Sequence, residues 1–116
     1  MNIEEIREYC ISKKTVSENF PFDDKTLVFK VGSKMFALIG LDNDFINIKC
    51  EPELAIERRE EFEEITAGYH MSKKHWNSVC YNKNLSYDFV KQMIDESYDL
   101  VFNSLTKKER EKINNM

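Results

Sequence analysis

The feature that most constrains the fold is an alternating apolar pattern interrupted by one tight turn. The segments Leu27–Val31 and Lys34–Ile39 flank the pair Gly32-Ser33, and glycine supplies the positive φ that a two-residue hairpin turn requires. A hairpin in this register has a better core face and a more mixed opposite face. The expected core face holds Leu27, Phe29, Val31, Phe36 and Leu38, and the opposite face holds Val28, Lys30, Met35 and Ala37.

Three further segments extend this hairpin into a larger sheet. Phe45–Cys50 alternates apolar and polar side chains, which predicts a third antiparallel strand. Ile65–Tyr69 and Trp76–Tyr81 have the composition of a second pair of strands. The sequence therefore predicts a sheet of about five strands. We expect Lys30 and Lys49 to share its solvent face.

Helix signals surround these strands. Asn2, Ser86 and Thr106 occupy capping positions, and Pro52 suits the first position of a helix. The longest helix follows Ser86 and carries an apolar stripe with the helical period, which should cover the sheet. The stripe consists of Phe89, Met93, Ile94, Tyr98, Val101, Phe102 and Leu105.

The segment Ser17–Asp24 is rich in turn-forming residues. We expect it to be an ordered connection, with Phe20 and Phe22 fixing it to the core. The order helix, three strands, helix, two strands, helix indicates a two-layer α+β domain with an antiparallel sheet and helices on one face. A chain of 116 residues has room for one such domain, spanning residues 1–116.

The formal net charge is −4, which argues against a protein covered in positive potential. The charges are nevertheless segregated. Residues 51–64 carry seven glutamates, whereas residues 25–41 and 65–87 carry three lysines each and no acidic residue. Each of these two acid-free stretches can support a local positive patch.

The segment Gly68–Trp76 collects both histidines and the only tryptophan. His70 and His75 have no carboxylate neighbours in sequence, so we expect hydrogen-bonded structural groups rather than an acid–base pair or metal ligands. Tyr69 and Trp76 are expected to be packing residues more than platforms for stacking bases. No catalytic motif is present, and we expect no enzyme activity.

The three cysteines, Cys10, Cys50 and Cys80, are widely spaced within apolar patterns, which predicts reduced core residues and no structural metal. Asp95 and Asp99 lie beside the stripe of the long helix and are expected to face solvent. No phosphate-binding glycine loop is present, and no cofactor is expected.

The sequence contains no apolar run long enough to span a bilayer, and its first residues lack the features of a secretion signal. We therefore expect a soluble, cytoplasmic protein without membrane contact. We also expect it to be a monomer.

Several separated segments resemble the MmcQ/YjbR family. They are Phe20–Asp23, Lys49–Glu53, Gly68–Met71 together with Lys74–Trp76, and Asp95–Val101. Ser72 stands where family members commonly have asparagine. The resemblance implies a small α+β domain similar to the CyaY-like and secretion-chaperone-like folds. It also implies the family's customary DNA-binding label, which rests on likening its two hairpins to wings.

Two hypotheses for function follow. In the first, the sheet and hairpins contact DNA weakly and in a salt-dependent manner through lysines and through rings that stack on bases. The residues in question are Lys30, Lys49, Tyr69, His70, Lys73, Lys74, His75 and Trp76. In the alternative, the same open sheet face binds another protein, as in an adaptor or a chaperone.

Overall fold

A computed structural model describes the whole chain, residues 1–116. Its elements are α1 (Ile3–Ile11), β1 (Val16–Asn19), β2 (Thr26–Val31), β3 (Lys34–Gly40), β4 (Phe45–Lys49), α2 (Pro52–Glu61), β5 (Ile65–Ala67), β6 (Trp76–Cys80), α3 (Tyr87–Ser104) and α4 (Lys107–Asn114). The six strands form one antiparallel sheet in the order β1-β2-β3-β4-β6-β5. The predicted α+β class is confirmed, with one strand more than expected. No helix combines the length and apolar character that crossing a membrane requires.

The predicted helix starts are confirmed by hydrogen bonds at their caps. The side chain of Asn2 accepts from the backbone N–H of Glu5, whose own side chain accepts from the N–H of Asn2. Ser86 and Thr106 accept in the same way at α3 and α4, and Pro52 begins α2. These side chains satisfy backbone donors that the first helical turn leaves without partners.

All helices lie on one face of the sheet. The main core joins Ile6 of α1, Ile94 of α3 and Ile113 of α4 to sheet residues such as Phe29 and Ile46. The other side, called here the helix-free face, carries a smaller buried cluster of Val28, Leu38 and Trp76.

The strand β1 is an element that the sequence patterns did not predict. It pairs antiparallel with β2, from Val16 opposite Val31 to Asn19 opposite Val28. An edge strand needs cover on only one side, so pairing with β2 outweighs the weak strand preference of its polar residues. The prediction that Phe20 and Phe22 fix this segment to the core is also wrong, because the two residues are 46% and 65% exposed.

A β-bulge in β3 overturns part of the predicted hairpin register. Phe29 pairs with Ala37 while Lys30 pairs with Met35, which leaves Phe36 as an extra residue. A bulge shifts the alternation of side chains by one residue beyond it. Ala37 therefore joins the main core with Ile39, and Leu38, predicted to be in that core, lies on the helix-free face instead.

The side chain of Ser97 in α3 fills the gap that the bulge opens between β3 and β4. Their pairing ends at Ala37 and Ile48. Beyond that point the Ser97 hydroxyl donates to the carbonyl of Phe36 (2.6 Å) and accepts from the N–H of Lys49 (2.8 Å). Ser97 is fully buried, and an apolar periodicity alone cannot predict it because the residue is polar.

Asp95 remains 43% exposed, but its side chain also has protein partners that the sequence did not predict. Its carboxylate accepts a hydrogen bond from the Tyr9 hydroxyl at 2.6 Å and forms an ion pair with Lys13. Burial and this hydrogen bond raise the pKa of Tyr9 to about 12. The contacts tie α1 to α3, whereas Asp99 is exposed as expected.

The next residue, Glu96, connects α3 to α2. Arg58 donates to both of its carboxylate oxygens, at 2.6 and 3.1 Å. Burial on its own would raise the pKa of Glu96, but hydrogen bonds from Arg58 and Gln92 outweigh that effect and keep the pKa below its usual value. The Tyr98 hydroxyl donates to the Lys14 carbonyl at 2.6 Å. The motif around Asp95–Val101 thus holds the helices and sheet together.

Replacing Ser97 should test this arrangement. Ser97→Ala leaves the Phe36 carbonyl and the Lys49 N–H without a partner, and we expect a loss of about 1–3 kcal/mol in the free energy of unfolding, measured by urea denaturation. Asn103→Ala, at an exposed position of the same helix, should change stability by less than about 0.5 kcal/mol. Equal effects of the two substitutions would contradict the bridging role.

Candidate functional site

Side chains on the helix-free face form three rows across the strands. The row at one end, which we call the acidic end, contains Thr26, Gly40, Phe45 and Cys80. The middle row contains Val28, Leu38, Asn47, Ser78 and Thr66. The row at the other end, the lysine end, contains Lys30, Met35, Lys49 and Trp76. Cys80 is half-exposed, so the expectation of a core residue is wrong at this position.

The Gly68–Met71 turn folds back over the middle row and is held by two buried polar side chains. The N–H of Tyr69 donates to the Ser78 hydroxyl (2.9 Å), and the Asn47 amide donates to the Tyr69 carbonyl (3.0 Å). The Ser78 hydroxyl in turn donates to the side-chain oxygen of Asn47. This closed network satisfies both backbone groups of Tyr69 and positions its ring.

The backbone of this turn depends on glycine and on a left-handed residue. The Met71 N–H donates to the Gly68 carbonyl at 3.2 Å, and His70 between them has φ 59°, as the third position of a type II turn requires. A Cβ on residue 68 would lie 2.7 Å from the Cβ of Trp76. Only glycine therefore lets the chain cross Trp76 this closely.

Trp76 is a packing residue, with 8% of its surface exposed. It contacts Val28 and Leu38, and Met35 and Met71 pack against the same cluster. A ring buried in this way cannot stack on a nucleic-acid base. Its structural role agrees with the interpretation that the sequence favoured for it.

Between the Gly68–Met71 turn and the loop of residues 20–25 lies a groove of about 400 Å³, which is the candidate site. Its thirteen lining residues are Phe22, Asp23, Thr26, Met35, Leu38, Ile39, Gly40, Asn43, Phe45, Asn47, Tyr69, His70 and Met71. Phe22 is 65% and Tyr69 58% exposed. Two of the segments that carry the family resemblance, Phe20–Asp23 and Gly68–Met71, thus form opposite walls of one groove.

Three rings of the groove contact one another. Phe45 and Tyr69 meet edge to face with centroids 5.7 Å apart, and the His70 ring lies 4.1 Å from that of Tyr69. The exposure of Tyr69 differs from the packing role expected for it. An exposed aromatic ring held by a rigid backbone is suited to contact a ligand at little cost in entropy.

The structure brings only Tyr69 and His70 of the predicted site residues into the groove. Lys73 donates to the Gly68 carbonyl and stabilises the turn, while Lys74 and His75 are exposed beyond it. Lys30 and Lys49 lie in the row at the lysine end, on the same face, as predicted.

Sequence reasoning missed the apolar part of the groove, notably Phe22, Phe45, Met35 and Met71. Phe22 was identified only as a loop residue, and Phe45 and Met35 only as members of strands. The signal that could have found the site was the pair of motifs on its walls. The bulge that shifts Leu38 into the groove has no such signal.

Charge is divided between the two ends of the helix-free face. The loops at the acidic end contain Asp23, Asp24, Asp42, Asp44, Glu63 and Glu64 against Lys25 and Lys83. Lys25 is itself 3.8 Å from Asp42. Hydrogen bonds from the N–H groups of Lys25 and Thr26 lower the pKa of Asp23, which therefore stays ionised at neutral pH.

The lysine end carries Lys30, Lys49, Lys73 and Lys74, and none of them takes part in an ion pair of the structure. This end is bordered by the glutamate-rich helix α2, because Arg59 donates to the Lys73 carbonyl at 2.9 Å. The glutamates weaken any positive potential that the lysines create.

The titratable groups near the groove are not arranged for metal binding. No group of three or more histidine, cysteine or acidic side chains is placed to hold a metal ion. Burial raises the pKa of Cys80, which keeps the thiol neutral.

The family model described as YjbR matches residues 11–100. The chain belongs to the YjbR family. Protein YbdF of Escherichia coli O157:H7 is 33% identical over 81% of this chain and 79% of its own length. Protein YjbR of Escherichia coli strain K12 is 28% identical over 95% of both chains. The resemblance to the MmcQ/YjbR family is confirmed.

Two solved structures share the YjbR fold of this chain. The DUF419 domain protein DR2400 of Deinococcus radiodurans has a TM-score of 0.89 and 34% identity, covering 97% of this chain and 88% of its own. A Pseudomonas syringae protein has a TM-score of 0.75 and 27% identity, covering 87% and 99%. The names of these YjbR-like proteins carry no activity or ligand, so the groove's own chemistry is the guide to function.

The network under the turn can be tested by removing Asn47. Asn47→Ala deletes the donor to the Tyr69 carbonyl and the acceptor for Ser78, so we expect a loss of about 1–3 kcal/mol in stability. Hydrogen exchange of the Tyr69 amide should quicken at the same time. Thr66→Ala on the same face, where the side chain is exposed, serves as the control, and unchanged exchange at Tyr69 in Asn47→Ala would refute the network.

Proposed function

We propose that this protein is a non-enzymatic interaction module whose groove binds an extended, partly apolar segment of a partner protein, in the manner of an adaptor or chaperone. The observation that carries the proposal is the concentration of exposed large apolar side chains around the groove. Phe20, Phe22, Leu41 and Tyr69 are each between 46% and 65% exposed. The Leu41 N–H donates to the Lys25 carbonyl at 2.8 Å. This hydrogen bond places the loop of residues 20–25 beside the loop of residues 41–44.

Apolar surface of this kind favours association. Removing such surface from water stabilises a complex by roughly 25 cal/mol per Å² before the costs of association are subtracted. Aromatic side chains are enriched among the residues that dominate binding energy. A groove of about 400 Å³ is large enough for one or two side chains of a segment.

The groove's polar side chains support binding rather than catalysis. The carboxylate of Asp23 accepts hydrogen bonds from its own loop, and Asn47 is used in the network below the turn. The Asn43 side chain accepts from the N–H of Phe45. The two asparagines and one oxygen of Asp23 are therefore engaged locally. No hydrogen bond joins Asp23 to His70, the histidine of the lining, so the groove holds no paired acid and base.

Selection of displayed random peptides on the purified protein tests this proposal. We expect enriched peptides to share an apolar or aromatic anchor, and Tyr69→Ala or Phe22→Ala to weaken their binding about tenfold, which corresponds to about 1.4 kcal/mol. Binding can be measured by fluorescence anisotropy of a labelled peptide.

The matched control is Tyr87→Ala. Tyr87 is 50% exposed, similar to Tyr69, but it lies at the start of α3 and does not line the groove. It should leave affinity unchanged. Failure to enrich any peptide, or enriched peptides indifferent to both groove substitutions, would rule out the proposal.

A second candidate function is weak contact with DNA. The observation that favours it is that Lys30 and Lys49 lie at one end of the helix-free face. Exposed Lys74 precedes Trp76 of the same row by two residues, and none of the three lysines has an ion-pair partner. Against it stand the burial of Trp76, the glutamates of α2 and the net charge of −4. Contacts from so few lysines would give salt-sensitive binding.

Anisotropy titrations of labelled single- and double-stranded DNA at low salt and at about 150 mM salt distinguish this candidate. If it is correct, Lys49→Gln combined with Lys74→Gln should weaken binding and reduce the salt slope by roughly one for each phosphate contact removed. Absence of binding at low salt would dismiss it.

A further inference from the structure

We infer that the segment bound in the groove carries a positively charged side chain, arginine or lysine, beside its apolar anchor. This rests on the proposed function and narrows the class of partner. The juxtaposition behind it is an aromatic groove that extends to the acidic end of the helix-free face, where Thr26, Gly40 and Phe45 line it.

The lining of the groove carries one fixed charge, which is negative. Among the thirteen lining residues Asp23 is the one acidic residue and His70 the one histidine, and there is no lysine or arginine. Asp23 is exposed and lies on the loop of residues 20–25. One of its oxygens accepts from two backbone N–H groups, at 2.9 and 2.7 Å, whereas the other has only a long 3.3 Å contact with the Thr26 hydroxyl. That second oxygen retains the capacity to accept from a cation.

The loops around the groove are negatively charged overall. The loops at this end contain six acidic residues and two lysines, and the Lys25 charge is partly offset by Asp42 at 3.8 Å. Such an excess attracts a cationic segment and repels an acidic one. It also disfavours phosphates, so a nucleic acid is not the occupant that this end of the face selects.

Aromatic rings line the same groove as Asp23. They belong to Phe22, Phe45 and Tyr69, and Phe22 and Tyr69 are 65% and 58% exposed. An ammonium or guanidinium group is attracted to the face of an aromatic ring. Asp23 and these rings together therefore offer a cation both an ion pair and a π surface.

Trp76 provides a reporter for the experiment. It is the only tryptophan, and it packs with Leu38, Met35 and Met71, all of which line the groove. Occupation of the groove should change its fluorescence. Three acetylated and amidated heptapeptides without tryptophan are the probes: Gly-Ser-Phe-Arg-Leu-Ser-Gly, the same peptide with Glu in place of Arg, and the same peptide with Ser in place of Phe and Leu.

We expect the arginine peptide to bind saturably, at least about tenfold more tightly than either of the others. Asp23→Asn should reduce the preference for arginine over glutamate several-fold. It should leave the loop intact, because an asparagine oxygen can accept the same backbone hydrogen bonds. Asp99→Asn, at an exposed position on α3, is the matched control and should leave the preference unchanged.

Three outcomes would overturn the inference. Equal or tighter binding of the glutamate peptide would remove the charge preference while leaving the interaction module standing. Binding of none of the probes, when peptides from the random library do bind the groove without an excess of arginine or lysine, would have the same meaning. Self-association of the protein that Asp23→Asn abolishes would assign the groove to a second copy of this chain.

Discussion

The hydroxyl of Ser97 makes two hydrogen bonds at the point where β3 and β4 separate, and both faces of the sheet depend on them. The bulge at Phe36 would otherwise leave a buried carbonyl and an N–H without partners. With Ser97 present the bulge is tolerated, and its register shift sends Ala37 into the main core and Leu38 to the helix-free face. A helix residue thus determines part of the floor of the groove on the opposite side.

The turn above that floor is positioned from below in a similar way. Asn47 and Ser78 come from adjacent strands, and their side chains replace water as partners for the backbone of Tyr69. Gly68 permits the crossing over Trp76, and Lys73 holds the Gly68 carbonyl. These residues fix the backbone of Tyr69 while its ring stays exposed, so the backbone that carries the ring requires no reordering on binding.

Local patterns were sufficient to predict the hairpin turn at Gly32, the helix caps at Asn2 and Ser86, and the alternation of β4, because each depends on neighbours in sequence. The polar edge strand β1 depends on its pairing with β2. The exposure of Phe22 depends on the contacts between loops that are distant in sequence. The position of Leu38 depends on a hydrogen bond from a residue about sixty positions away. Such long-range contacts produce no periodic pattern in the sequence. The motifs on the groove walls could therefore be identified from the sequence, but the groove between them could not.

The same division separates the conspicuous residues of Gly68–Trp76, of which Tyr69, His70 and Met71 line the groove. Trp76 and Lys73 are used to build the turn, and the residues that the turn presents are Tyr69 and His70. The lysines lie toward one end of the face and the aromatic groove extends toward the other, where acidic residues predominate. A polyanion would have to satisfy the lysines while avoiding that acidic end, whereas a cationic apolar segment meets favourable chemistry along the groove. On these grounds we propose a protein partner rather than a nucleic acid.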